Sequence, residues 1–127
     1  MSKDEIRLLL ERLGQAMSDG APGRVSACWE VPALILLEDG GVALTNAGDI
    51  EEMMGQASRE YRSQGVVSTR PEIEHIEPLS EKLVSVDVRW PGFDKSGKET
   101  SSEWSHYILQ SGRDGHPRIR VALTRTK

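Results

Sequence analysis

The chain predicts an α+β domain with elements in the order α-α-β-β-α-β-β-β-β and a mostly antiparallel sheet. Three observations predict it. Two stretches carry apolar residues at helical spacing behind clear start signals. Two short apolar runs meet at Asp39-Gly40. After Gly65 the periodicity changes to two and keeps that period almost to the end, broken by Gly-containing turns.

Ser2 followed by Glu5 has the spacing of a capping box. Ile6, Leu9, Leu10, Leu13 and Met17 then form one apolar stripe on a helix of about four turns, which Asp19-Gly20 ends. Pro22 suits the first turn of a second, short helix with Val25, Cys28 and Trp29 on its inner side. Pro32 is expected to stop it. A hairpin follows, Ala33–Leu37 and Val42–Thr45, with positive φ expected at Asp39 and Gly40. Asn46 is the expected N-cap of a long helix, and Gly65 its left-handed end. Its stripe, Ile50, Met53, Met54, Ala57 and Tyr61, repeats the spacing of the first helix. Four strands complete the pattern: Val66–Ile76, with Pro71 marking an edge or bulge, Leu83–Trp90, Glu99–Gln110 and Arg118–Thr124. Pro91–Lys98 and Ser111–Pro117 read as connections. Short links between consecutive strands predict an antiparallel meander.

The bulk properties exclude several classes. At 127 residues the chain is one domain, 1–127, long enough for a core without staples. A net charge of −4 with no Lys/Arg run argues against nucleic-acid binding. Arg113, Arg118, Arg120, Arg125 and Lys127 read as outward positions and a solvated tail. The single cysteine, Cys28, permits no intrachain disulfide, so a reducing cytoplasm is expected. Met1 leads into Ser-Lys-Asp-Glu, without the apolar h-region of a signal peptide, so none is expected, and the longest apolar run, Val31–Leu37, is too short to span a bilayer. Gly40-Gly41 is a turn, with no phosphate-loop motif behind it.

The element order, with Ala33–Thr45 and its Asp39-Gly40 turn, the helix Asn46–Gln64, and Leu83-Val-Ser-Val-Asp-Val-Arg-Trp90 followed by Trp104-Ser-His-Tyr107, resembles the nuclear transport factor 2-like superfamily over residues 3–125. That superfamily includes ketosteroid isomerase and polyketide-cyclase-like proteins. The resemblance implies a strongly curved sheet wrapped around the long helix, a cone-shaped cavity, and homodimers formed through the outer sheet face. It does not imply one function, since the same cone serves enzymes, carriers and interaction modules. The carboxylates that isomerases of the fold need have no counterparts here. Glu38 and Asp39 sit in the hairpin turn, and the last strand offers only Ile119, Val121 and Leu123. Dehydratases of the fold use a histidine pair with a tyrosine, a set that His75, His106 and Tyr61 could imitate.

Alternation sorts the strand residues by face. His75 groups with Ile73, and His106 with Trp104 and Ile108, so both histidines are expected to face the cavity from strands flanking Leu83–Trp90. A pair so placed could work as general acid and base. The simpler reading has them hydrogen-bonded as structural residues, or turned outward by a bulge. Two histidines without a third ligand do not make a metal site. Asp87 lies opposite the valines and is expected outside, paired with Arg118 or Arg120. A reversed pleat would make it a cavity base. Tyr107 groups with Glu103 and Ser105 on the expected outer face. Trp29, Trp90 and Trp104 serve as core, interface or pocket wall. Met53 and Met54 suit an adaptable wall. Cys28 is expected to be buried and inert.

Three functions compete. The first is an unassigned domain binding a small apolar organic molecule, without cofactor or identifiable catalytic set, its ligand held by Tyr61, Met53, Met54, Trp90 and Trp104, with His106 on the cavity wall. The second is a dehydratase or isomerase acting on a hydrophobic carbonyl or hydroxyl compound, with His106 as acid/base and His75 and Tyr61 assisting. The third is an interaction module pairing through the outer sheet face, with Arg89, Arg118, Arg120 and Glu103 forming interface pairs.

Overall fold

The computed structural model of the protein describes residues 1–126, with side chains described through residue 124. Lys127 and the side chain of Arg125, both placed above in the basic tail, lie outside the described residues. Helix α1 spans Lys3–Asp19, and both halves of its capping box form: Ser2 Oγ accepts from Glu5 N, and Glu5 Oε1 accepts from Ser2 N, each at 3.1 Å. Gly20 closes α1 at φ 63°, a left-handed position without penalty only for glycine. Helix α2 is a single turn, Pro22–Ser26. Helix α3 covers Ala47–Ser63; Asn46 Oδ1 accepts from Asp49 N at 2.9 Å, and Gly65 follows its end at φ 87°.

The strands are β1 Trp29–Leu37, β2 Gly40–Leu44, β3 Ser68–Thr69, β4 Glu72–Pro78, β5 Leu83–Phe93, β6 Glu99–Ser111 and β7 Pro117–Thr126. They form one sheet in the order β2-β1-β7-β6-β5-β3, with β4 also paired to β5. The expected meander occupies β4 to β7. The early hairpin joins it through β1 and β7, which run parallel. The core lies between the concave sheet face and the helices, with Leu10, Val86, Val88, Leu109 and Ile119 at its centre, all fully enclosed. Removing one such side chain from water contributes about 1.5–3 kcal/mol.

Several local expectations are corrected. Pro32 does not end α2; it lies inside β1, where pairing with β7 shifts register between Trp29 and Leu34, a place that tolerates a residue without an N–H. The hairpin loop is Glu38-Asp39, closed by the pair Leu37 and Gly40, and neither loop residue has positive φ. Val66–Ile76 is not one strand: Pro71 divides β3 from β4. Strand β5 runs on through Pro91 and Gly92 to Phe93.

Three register shifts matter most. A bulge between Ile73 and His75 moves His75 opposite Asp87. A shift at Gly92/Phe93 pairs Trp90 with Glu103, and another between Ile108 and Leu109 sets Ile119 against Leu109. Because side chains alternate, a one-residue slip sends every later side chain to the opposite face.

Candidate functional site

Beneath α3 lies a cavity of about 390 Å³. Its roof is Met53, Met54, Ala57 and Tyr61 of α3, its side is Leu13 and Met17 of α1, and its floor comes from β1, β5, β6 and β7. Strands from opposite ends of the sheet meet around one space, which requires the sheet to curve around the helix. The walls are chiefly apolar, and their polar groups gather on β6 and β7 as Glu103, Ser105, Tyr107 and Thr124.

The β5–β6 register explains that gathering. Val86, Val88 and Trp90 point inward, so their partners Tyr107, Ser105 and Glu103 point inward too. Trp90 Nε1 donates to Tyr107 Oη at 3.0 Å. Ser105 and Thr124 hydroxyls lie 3.4 Å apart across β6 and β7. Tyr61 of α3 lines the same space from above, near enough for the Glu103 carboxylate to act on its phenol. Burial pushes the Tyr107 phenol up to about 12, and burial, together with the Glu103 carboxylate, raises Tyr61 as well. Both phenols therefore stay protonated donors near neutrality. Trp29 also lines the cavity, and its enclosed Nε1–H has no acceptor among the described residues.

Tyr61, Met53, Met54 and Trp90 thus stand around one space. Trp104 and His106 do not: they project from the opposite face of β6, since the shift at Gly92/Phe93 reverses the face read for the strand. His75 is also outside, exposed and 3.9 Å from Glu77, because the bulge before it breaks its alternation with Ile73. The dehydratase-like grouping of His106, His75 and Tyr61 therefore does not form. Tyr107, Ser105 and Glu103, expected outside, line the cavity instead. On β7 the last shift puts Ile119 and Ala122 inside and leaves Leu123 exposed, so Ile119, Val121 and Leu123 do not share a face.

Asp87 is outside as expected, but its partner is His106, not an arginine: His106 Nδ1 and Asp87 Oδ1 are 2.7 Å apart, and His106 Nε2 lies 3.2 Å from Ser85 Oγ. Hydroxyl, imidazole and carboxylate are thereby aligned, yet Ser85 is only 6% exposed. It also sits mid-strand with pairing partners on both sides, so the surrounding backbone N–H groups belong to the sheet and none is free to receive an oxyanion. The trio is a polar tie across the outer face. Arg120 turns to Pro32 O, Gln110 and Glu30; Arg118 bonds Asp114; and Arg89 bonds Glu72 and Glu99, so the expected arginine pairs with Glu103 do not occur within the chain. Cys28 is buried, and burial raises its thiol. Among the described residues no group of three or more His, Cys, Asp or Glu is placed to hold a metal ion, and no helix is long and apolar enough to cross a membrane.

Glu103 and Tyr107 were the residues that sequence reading missed. A hairpin symmetric about the Asp94–Lys98 turn pairs Trp90 with Ser102 and sends the even-numbered residues of β6 inward. The single extra residue near Phe93 reverses this.

A curved, unclosed α+β sheet folded over a long helix around a polar-floored cavity defines the class of cone-shaped domains. The chain belongs to the family described as NTF2-like protein (DUF6841), whose model matches residues 4–127. Among solved structures it is similar to a Nostoc punctiforme domain of unknown function with a cystatin-like fold, at 18% identity and TM-score 0.78, covering 100% of this chain and 80% of that one. An NTF2-like protein of unknown function from Shewanella oneidensis matches at 16% identity and TM-score 0.73, covering 98% of each chain. A ketosteroid isomerase-like protein from Erwinia carotovora atroseptica matches at 12% identity and TM-score 0.70, covering 99% of this chain and 98% of that one. At these identities the likeness is one of fold. No curated protein matches the chain in sequence.

Proposed function

We propose that the protein binds a small, mainly apolar organic molecule in the cavity beneath α3, with no catalytic step assigned to it. The observation that carries this reading is the cavity itself, about 390 Å³ with chiefly apolar walls and a few converging polar groups. Ligand sites typically occupy roughly 300–1,000 Å³ and share that make-up. A space lined by Met53, Met54, Leu13 and Ile35 forfeits contacts that a ligand restores. The protonated Tyr61 and Tyr107 suit a ligand with one or two polar atoms. Thermal denaturation against a panel of medium-chain alcohols and ketones tests the reading. Saturable stabilisation is expected in the parent and not in Ala57→Trp, which fills the roof. Equal stabilisation in that variant, or none in the parent, overturns it.

A second copy of the chain is the partner we assign to the outer sheet face. Leu34 lies opposite Val121 and Leu36 opposite Leu123, and the three leucines are 36%, 38% and 40% exposed, forming one apolar patch. Patches of this kind are characteristic of association surfaces. Sedimentation should give a two-chain mass that Leu36→Asp reduces to one; a strict monomer at high concentration contradicts the assignment. A buried, unpaired Cys28 supports a cytoplasmic setting.

A further inference from the structure

Four of the six aromatic side chains of this protein, Trp29, Tyr61, Trp90 and Tyr107, line the one cavity beneath α3. The floor of that cavity also carries a carboxylate, Glu103. Glu103 faces Trp90 directly across the β5–β6 ladder, has Tyr107 four residues along its own strand on the same face, and shares the cavity with Tyr61 of the roof. Among the described residues it takes part in no ion pair: the nearby strand arginines are engaged elsewhere, Arg89 with Glu72 and Glu99, Arg118 with Asp114 and Arg120 with Glu30. Among the described residues the cation lining the cavity is Arg62, which donates to Ser18 O at 2.8 Å, and Glu60 lines the same space.

A partly enclosed carboxylate costs free energy unless a cation or further donors meet it. Aromatic faces attract cations and offer nothing to anions. Apolar walls want hydrocarbon. One ligand chemistry meets all three conditions. We propose that the natural occupant is a lipophilic amine or ammonium compound, its cationic head at Glu103 between Trp90 and Tyr107 and its hydrocarbon portion along Met53, Met54 and Leu13. This rests on the binding function proposed above and names its ligand class. Arg62, the cation lining the cavity among the described residues, is held at Ser18 O on the rim, so acids of the same length are poorer occupants.

The test compares decylamine, decanol and decanoate, equal in chain length, by isothermal titration and tryptophan fluorescence at neutral pH. Decylamine is expected to bind roughly tenfold or more tighter than decanol, the scale of one charge-assisted hydrogen bond, with decanoate weakest. Glu103→Gln keeps the shape of the side chain and should bring decylamine down to the decanol level while leaving decanol unchanged. Tyr61→Phe should retain the preference for the amine, since the charge remains. Decanol binding as well as or better than decylamine overturns the ligand class and leaves the cavity as a general apolar site. An amine preference that survives Glu103→Gln also overturns it. Failure of all three probes to bind overturns the binding function itself, and the ligand class with it. Circular dichroism of each variant confirms the fold.

Discussion

Helices α1 and α3 are both 17 residues long and carry the same apolar spacing, yet they do opposite work. On α1 the stripe is Ile6, Leu9, Leu10 and Leu13, all at most 7% exposed, with Met17 at its end. On α3 only Ile50 is buried, and Met53, Met54, Ala57 and Tyr61 are half-covered, looking onto the cavity. The first helix seals a core and the second roofs a container. A stripe at helical spacing reports which side of a helix faces inward, but not whether anything fills the space it faces. The small Ala57 and the flexible methionines leave room that leucines on α1 do not.

That contrast can be broken by mutation. The largest effect is expected from Leu10→Ala, which opens a void in a close-packed region and should cost about 2–5 kcal/mol in denaturant unfolding. The matched change on α3, Met54→Ala, enlarges an existing space and should cost no more than about 1 kcal/mol. Equal losses would show that α3 packs as tightly as α1. Next is the opposite experiment. Ala16→Leu forces volume into a fully enclosed site on α1 and should destabilise by about 1–3 kcal/mol, whereas Ala57→Leu on α3 should be neutral or stabilising.

The smallest effect near neutrality is electrostatic and appears only in alkali. Burial pushes the Tyr107 phenol up to about 12, against about 10 in an unfolded chain. The folded state therefore favours the protonated form. The resulting stability is complete below pH about 10 and is lost as pH rises from there towards 12. Tyr107→Phe should flatten this part of the stability profile, read from unfolding midpoints across the alkaline range. An unchanged slope would place the alkaline sensitivity elsewhere, with Tyr61 the next group to replace.

The helices, their caps and the inner face of β5 were legible because each rests on local chemistry. Ser2 with Glu5, Asn46 with Asp49, Gly65, and the alternating valines from Val84 to Val88 each act over a few residues. Which strand residues reach the site was not legible, because it depends on three shifts in strand pairing. Each inserts one residue, and period-two reasoning carries the error to the end of the strand. His75 and His106 moved outside for this reason, and Glu103 and Tyr107 moved inside. Composition added to the error: Trp104 and Ile108 are apolar residues on the outer face, so β6 read as though its inward face were the outward one. Tyr61 was legible as the end of a stripe, but its sharing of one space with Glu103 was not, since that relation joins α3 to β6 across the cavity.

Under the proposed function, the space under α3 receives a ligand and the outer sheet face does not. Methyl NMR with decylamine as titrant tests it most directly. The methyl signals of Met53 and Met54 should shift saturably, with those of Leu34, Leu36 and Leu123 unmoved. Shifts confined to the three leucines, or no saturable change at either methionine, would contradict the account.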